Sequence, residues 1–158
     1  MKRLISLLFC LVCIYAKTCC DDGWIGYKGS CYLFGHGLHT FTTAEQYCRQ
    51  RNGHLVHVNT AEENTFLTDQ MRDRKDRAWW LGITDEGSEG VWYWFDTNTL
   101  AEFTDFHPGD GGPHIIEDCA VYDPSVAYQW VDISCEKQAY LPLCEARSSD
   151  CTDAVVVG

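Results

Sequence analysis

The stretch WVDISCEKQAYLPLCE, residues 130–145, contains two strand-like segments, two cysteines and the acidic residue Asp132. A second stretch, PGDGGPHIIEDC at residues 108–119, also places acidic residues beside glycines and a cysteine. It overlaps the end of a glycine- and proline-rich loop of about nineteen residues, 98–116. Compact domains keep long structureless loops mainly for function. We therefore expect a functional site in this loop.

The first sixteen residues, MKRLISLLFCLVCIYA, have the charge order and length of a secretory signal peptide. Two basic residues precede an apolar run that is well short of the roughly 20 residues needed to cross a bilayer, which disfavours a membrane anchor. The sequence therefore predicts a signal peptide at 1–16, one domain at 17–147 and a short C-terminal tail at 148–158. The expected location is secreted and extracellular, with no membrane span.

The charge balance favours cations over nucleic acids as partners. The chain has 12 basic and 23 acidic side chains and a formal net charge of −11. This excess of negative charge would repel phosphates, so we expect no nucleic-acid partner. It would attract divalent cations instead.

The cysteine count indicates disulfide bonds. Ten cysteines are present, and Cys10 and Cys13 lie in the predicted signal peptide. The remaining eight are an even number, which in a secreted chain indicates disulfides. A zinc site built from cysteines is disfavoured because no CxxC pair recurs and the spacings are long and irregular. The residues alone leave the connectivity open.

The order of the predicted elements favours the α+β class. A pair of aromatic strands precedes a helix in TTAEQYCRQRNG, with Thr42 or Thr43 as its N-cap. A strand in HLVHVNT is followed by a second helix, with Thr60 as its N-cap and Glu63 at the third helical position. Short strands follow in AWWLGITD, GVWYWFD, DCAVYD, YQWVDIS and YLPLCEA. Two helices followed by many short strands indicate an α+β domain, and we expect the tryptophans of these strands to pack in its core.

These segments together resemble the C-type lectin-like domain. The resemblance rests on CDDGWIGYKGSCYLF, TTAEQYC, WLGITDEGSEGVWYW, EDCAVY and WVDISCEKQAYLPLCE, and it spans Cys20 to Glu145. It implies two helices, short antiparallel sheets and a long calcium-binding loop, held together by disulfides, as in the secreted single-domain long form of the family. It also implies a binding protein and not an enzyme. The residues agree, because no serine, cysteine or zinc arrangement suits a hydrolase.

The resemblance also implies a disulfide pattern. It pairs six cysteines in bonds that close the whole domain, hold the long loop and join the N-terminal hairpin: Cys48 with Cys144, Cys119 with Cys135, and Cys20 with Cys31. Cys19 and Cys151 are then left over. They pair with each other within one chain, which we favour slightly, or they link two chains in a disulfide-linked homodimer.

The same resemblance implies two groups of calcium ligands. The primary group, which would also hold the sugar, consists of Asp110, Glu117 and Asp132. The auxiliary group, which shares Glu117, consists of Asp85, Glu89 and Asp118. Calcium takes about six to eight oxygen ligands, and so many acids near one loop would repel each other strongly without a cation. We therefore expect Ca²⁺ as the cofactor.

The sugar-binding motif departs from the family pattern. In sugar-binding members, a proline and an amide or acid side chain follow the first ligand of the loop, and an asparagine precedes the aspartate of the later strand. Gly111, Gly112 and Val131 take these places, so both amide donors are missing. His114 and Gln129 are nearby in sequence and are the candidate substitute donors at the sugar site. Restoring Pro, Asn and Asn is expected to raise the affinity for mannose-type sugars.

The sequence thus favours a secreted calcium-dependent carbohydrate-binding lectin, with pathogen glycan recognition in innate immunity as its expected role. Whether its glycans are mannose-type or galactose-type stays open. The alternative is a lectin-like domain without sugar binding that binds protein or a mineral or ice surface, since both amides are missing and the chain is acidic. The other histidines follow no ligand spacing and receive no role: His36, His39, His54, His57 and His107.

Overall fold

The computed structural model describes residues 18–74 and 77–150. This part of the chain contains helix α1 at Phe41–Arg49 and helix α2 at Ala61–Arg74. Its strands are, in chain order, β1 Thr18–Cys19, β2 Ile25–Tyr27, β3 Ser30–Phe34, β4 His54–Leu55, β5 Trp79–Thr84, β6 Tyr93–Trp94, β7 Thr99–Leu100, β8 Cys119–Asp123, β9 Gln129–Ile133, β10 Leu141–Arg147 and β11 Ser149–Asp150. The predicted α+β class is confirmed.

The predicted signal peptide at 1–16 lies outside the described residues, as do Cys151 and the tail beyond residue 150. The predicted domain boundaries therefore stay predictions. Across 18–74 and 77–150, no helix has the length and apolar character needed to cross a membrane.

Strand β10 connects the two halves of the main sheet. It pairs antiparallel with β3 and β4, and it pairs parallel with β5. Strand β5 also pairs with β6 and β8, and β8 pairs with β9. In the last pair Ala120 lies opposite Asp132, which brings Asp132 next to the acidic residues that precede Cys119. The sheet itself therefore joins the end of the long loop to the strand predicted to share its site.

Both faces of β5 are buried. Leu81 and Ile83 pack in the cluster that contains Leu67 and Met71 of α2, whereas Trp80 packs in the cluster that contains α1. Burial on both faces explains why β5 is an uninterrupted apolar run and not an alternating one. Each such side chain contributes about 1.5 to 3 kcal/mol by leaving water. The expected core tryptophans are all buried: Trp79, Trp80, Trp92, Trp94 and Trp130.

The two helices begin differently from one another. Helix α2 starts as predicted, because Thr60 Oγ1 accepts a hydrogen bond from the Glu63 N–H at 3.2 Å. The prediction of Thr42 or Thr43 as the N-cap of α1 was wrong, since the helix begins at Phe41 and its N-cap is Thr40. Packing explains why the helix starts earlier than predicted. Phe41 is buried as the first residue of the helix, so the N-cap is the residue before it, Thr40.

Three disulfides have the pairing that the resemblance implies. They join Cys20 to Cys31, Cys48 to Cys144 and Cys119 to Cys135. Cys19 is also disulfide-bonded, and strand β1 places it opposite Ser149 in β11. Ser149 is two residues before Cys151, so this pairing of strands favours a bond within one chain. Because Cys151 is outside the described residues, the assignment stays a prediction.

Candidate functional site

The first half of the long loop is fixed to β9 by backbone hydrogen bonds. The Trp130 N–H donates to the carbonyl of Asp105 at 3.0 Å, and the His107 N–H donates to the carbonyl of Trp130 at 2.9 Å. Between them, the Phe106 ring packs on the rings of Trp92 and Trp130, with centroid distances of 4.7 and 5.5 Å. The loop is thereby held beside the strand that supplies the site.

A buried polar network ties the same segment to α2. Asn64 Oδ1 accepts from the Tyr122 hydroxyl at 2.7 Å and from Trp130 Nε1 at 3.4 Å. Asn64 Nδ2 donates to Asp105 Oδ2 at 2.7 Å. A fully bonded buried polar group favours one arrangement over its alternatives. The sequence analysis missed Asn64 because an asparagine inside a helix gives no sign of its distant partners.

The crest of the loop turns at Gly111. The Asp110 N–H donates to the carbonyl of His107 at 2.9 Å, and Gly111 follows in the left-handed region with φ +74°. The Gly111 carbonyl accepts from Trp92 Nε1 at 3.0 Å. A Cβ at this position would lie 2.5 Å from Cγ of Phe106. Glycine is thus required here both by backbone conformation and by packing.

This geometry argues against a proline at residue 111. Proline holds φ near about −65°, whereas Gly111 has φ +74°. A proline would have to reshape the crest and displace Phe106. The two missing amides are therefore better restored at Gly112 and Val131, with Gly111 kept.

Replacing Gly111 with alanine is expected to lower the free energy of unfolding by about 1 to 3 kcal/mol, because the new methyl group would enter the space of the Phe106 ring. Gly112→Ala is the matched control, since its Cβ would meet only His114 Cε1, at 4.0 Å, and we expect a change below about 0.5 kcal/mol. Urea denaturation of both variants measures the difference. Equal unfolding midpoints would contradict this account of the crest.

Two acids of the primary group, Glu117 and Asp132, meet at His114. Asp132 is 3% exposed, and its Oδ2 lies 2.6 Å from Nδ1 of His114. Oε2 of Glu117 lies 3.7 Å from the same nitrogen. The third acid, Asp110, is close enough for its negative charge to raise the pKa of His114. The loop and β9 therefore converge on one small region with His114 between the acids.

The electrostatics around Asp132 and His114 favour a positive charge. Burial raises the pKa of Asp132, and the hydrogen bond from His114 opposes that rise. The pKa of His114 is raised, first by its hydrogen bond to Asp132 and then by the negative charges of Asp132, Glu117 and Asp110. A protonated imidazole thus offsets part of the repulsion among the acids. A bound cation would do the same.

The auxiliary acids form a second group beside the first. The Asp85 N–H donates to the carbonyl of Asp118 at 3.2 Å, and the Gly90 N–H donates to Asp85 Oδ2 at 2.7 Å. Desolvation raises the pKa of Asp85, and the negative charge of Asp118 raises it further. The pKa of Glu89 is raised by desolvation and by the charges of Asp85 and Asp118. These three acids are close enough to interact.

Two buried carboxylate oxygens lack a hydrogen-bond donor. Oδ1 of Asp85 and Oδ1 of Asp132 have no partner among the described residues. A buried acceptor without a donor costs about 1 to 3 kcal/mol. One of these oxygens lies in each acidic group, and calcium is a hard cation that prefers carboxylate oxygens. In each group, a calcium ion would therefore supply the partner that this oxygen lacks.

The two candidate substitute donors are placed differently. His114 lies inside the primary group, against Asp132. Gln129 pairs with Asp123 at the other end of the β8–β9 ladder, three positions from Asp132, which is roughly 10 Å along a strand. The structure therefore brings His114 to the acids and leaves Gln129 away from them.

Two further features of the site were missed from the sequence. His107 Nδ1 lies 3.2 Å from Asp110 Oδ2, although the sequence pattern gives this histidine no role. The Pro-Gly pair between them was the available signal, because such a turn brings residues i and i+3 together. Ile115 and Ile116, next to His114, are 82% and 62% exposed. They give the crest an apolar surface beside its charges.

Comparison with known proteins identifies the domain. The family model for the lectin C-type domain matches residues 37–146. The perlucin-like protein of Mytilus galloprovincialis is 30% identical over 122 residues, a match that covers 76% of this chain and 78% of that protein. C-type lectin domain family 10 member A of Homo sapiens is 35% identical over 136 residues, covering 82% of this chain and 40% of that protein.

Solved structures of C-type lectin domains have the same fold as this chain. The cow C-type carbohydrate-recognition domain of CD23, determined in the presence of a GlcNAc2Man3 oligosaccharide, superposes with a TM-score of 0.71 and 26% identity. The superposition covers 84% of this chain and 99% of that one. This chain spans less than half the length of the human family 10 member, so the similarity concerns the domain and not that whole protein. The matched region includes both helices, the long loop and β9, and the chain therefore belongs to the C-type lectin domain family.

Proposed function

We propose that this protein is a secreted lectin that binds glycans through calcium held by Asp110, Glu117 and Asp132. The observation that carries the proposal is the buried, unpartnered Oδ1 of Asp132, whose carboxyl group lies beside Glu117 and His114. Because these ligands are all carboxylates, they suit calcium better than a softer metal. Recognition of pathogen surface glycans in innate immunity is the role we propose for it.

The two acidic groups would act differently. In the primary group, a bound calcium would supply a positive charge for the hydroxyl oxygens of a sugar, while the carboxylates accept the hydroxyl protons. In the auxiliary group, Asp85, Glu89 and Asp118 would hold a second ion. That ion would relieve their mutual repulsion and stabilise the loop that carries Glu117.

The hydrogen-bond donors at the sugar site differ from the family pattern. Gly112 and Val131 provide no side-chain N–H, whereas His114 places an imidazole within hydrogen-bond distance of Asp132. We propose that His114 supplies a donor in place of an amide. The exposed Ile115 and Ile116 would then contact the apolar face of the bound sugar. With an imidazole donor and an apolar surface in place of two amides, the site is expected to select different sugars from those selected by family members that contain the amides.

A glycan array probed with the oxidised protein at millimolar calcium, and repeated with chelator, tests the proposal. We expect binding to a defined group of sugars, either mannose-type or galactose-type, that disappears with chelator. His114→Gln should alter which sugars are bound, and His36→Gln, at an exposed site on another loop, should not. Binding that persists in chelator would contradict the calcium mechanism.

A second candidate is a lectin-like domain that binds protein or a mineral or ice surface without sugar. The loss of both amide donors and the exposed isoleucine pair at the crest favour it. It predicts no signal for any sugar on the same array from protein that is folded. Binding that ignores competing free sugars would support it further.

A further inference from the structure

Three side chains away from the long loop form another group of metal-binding type. His54 lies on β4, His57 follows three residues later, and Asp96 lies two residues after β6. One nitrogen or oxygen atom from each lies within 4.8 Å of the others. None of the three belongs to the primary or auxiliary acids.

A backbone carbonyl decides which ring nitrogen of His54 is the donor. Its Nδ1 lies 2.8 Å from the carbonyl oxygen of Leu55. A carbonyl can only accept, so Nδ1 carries the proton and Nε2 of the neutral ring keeps its lone pair. Histidines that bind metals commonly donate their other ring nitrogen to a backbone carbonyl in this way. Nε2 of His54 is thus the nitrogen that remains available for a metal.

His57 is held in a fixed orientation by its neighbours. Its ring stacks on Trp94 with a centroid distance of 4.6 Å, and its side chain is 14% exposed. The stack on Trp94 therefore fixes the ring beside the carboxylate of Asp96, which contacts His57 Nε2.

Asp96 provides the anionic ligand. Its Oδ1 lies 2.7 Å from His57 Nε2, and its Oδ2 lies 3.5 Å from Nη2 of Arg49. Arg49 is also bonded through Nε to Glu45 at 2.6 Å, so two carboxylates share its charge. Arg49 would repel a cation, and the ion must displace the proton shared by His57 and Asp96. The repulsion is smaller here than beside an arginine without a second carboxylate partner, because Glu45 offsets part of the charge of Arg49.

The cluster opens into a surface cavity of about 360 Å³. Charged groups of both signs surround it, and those lining the cavity besides the cluster itself are Lys28, Glu145 and Arg147. The cavity gives an ion access and leaves room for a water molecule as a fourth ligand.

We propose that His54, His57 and Asp96 form a site for a divalent transition metal, with Zn²⁺ as the ion that fits best. Two imidazole nitrogens and one carboxylate oxygen suit zinc, which takes three protein ligands and a water in tetrahedral geometry. Calcium is disfavoured because it prefers an all-oxygen shell. This site is independent of the proposed glycan site and would persist if that proposal failed.

Zinc titration of the oxidised protein in saturating calcium tests the proposal, because calcium occupies the loop acids during the experiment. We expect one zinc ion per chain by calorimetry and the visible absorption of tetrahedral Co²⁺ when cobalt replaces zinc. His54→Gln and His57→Gln should each weaken zinc binding by at least about tenfold. His36→Gln, a change of the same type at an exposed position, should leave it unaltered.

A further variant, His114→Gln, distinguishes zinc binding at this cluster from zinc binding at the proposed glycan site. Loss of zinc binding in His114→Gln, with binding intact in His57→Gln, would place the metal in the long loop and overturn the proposal. Zinc should also raise the melting temperature of the wild-type protein and not that of His57→Gln. Equal zinc-induced shifts in the two proteins would likewise overturn it.

Discussion

Replacing Asp132 with asparagine is expected to weaken calcium binding by at least about 100-fold and to remove glycan binding with it, because calcium affinity depends on the number of charged ligands. Without calcium, the variant should be at least as stable as the wild-type protein. Burial raises the pKa of Asp132, so its ionised form is costly at neutral pH and asparagine avoids that cost. Calcium calorimetry and thermal unfolding measure the two effects.

Asp69→Asn provides the matched control for this change. Asp69 is an exposed acid on α2 whose partner is Arg72, and the substitution alters the net charge by the same amount. It should leave calcium affinity within about twofold, as expected for an exposed charge screened by salt. If Asp132→Asn retained wild-type calcium affinity, Asp132 would not be a ligand and the proposed site would be wrong.

Removing the Cys48–Cys144 bond with a Cys48→Ala, Cys144→Ala double variant is expected to lower the free energy of unfolding by about 5 kcal/mol. The bond closes 96 residues, and its stabilisation grows with the length of the closed chain segment. Both cysteines are fully buried between α1 and the sheet, so the change also leaves a small cavity. Urea denaturation monitored by tryptophan fluorescence measures the loss.

The Cys20–Cys31 bond is the internal comparison. It closes only 11 residues, so its removal by the same substitutions should cost about 3 kcal/mol. The predicted order of stability is therefore wild type, then the hairpin variant, then the Cys48 and Cys144 variant. The reverse order would mean that strain or packing, and not restriction of the unfolded chain, decides the contribution of each bond.

Local signals in the sequence predicted much of the fold. The Thr60 cap of α2 depends on residues three positions apart, and such short-range patterns can be recognised directly. The start of α1 could not be recognised in this way, because three nearby threonines can all cap a helix. A distant contact decides between them: the Thr42 hydroxyl donates to Glu136 at 2.6 Å, and Phe41 is buried in the first turn.

The sequence predicted which acids form the candidate site, but it did not predict how the side chains around them are arranged. The resemblance implied that Asp110, Glu117 and Asp132 share a site, and the β8–β9 ladder explains why Asp132 lies next to the acids that precede Cys119. The resemblance could not show that His114 lies against Asp132. Nor could it show that Gln129 lies three residues from Asp132, at the other end of the β8–β9 ladder. The pairing of His57 with Asp96 joins residues 39 positions apart, and no local pattern indicates it.

A crystal structure of the oxidised protein grown in millimolar calcium and soaked with the preferred sugar from the array tests the central claim most directly. Anomalous scattering locates calcium independently of how the side chains are interpreted. The account predicts an ion bound by Asp110, Glu117 and Asp132, with sugar hydroxyls completing its shell. An ordered loop with no ion among these three acids, or a sugar bound at another surface, would contradict it.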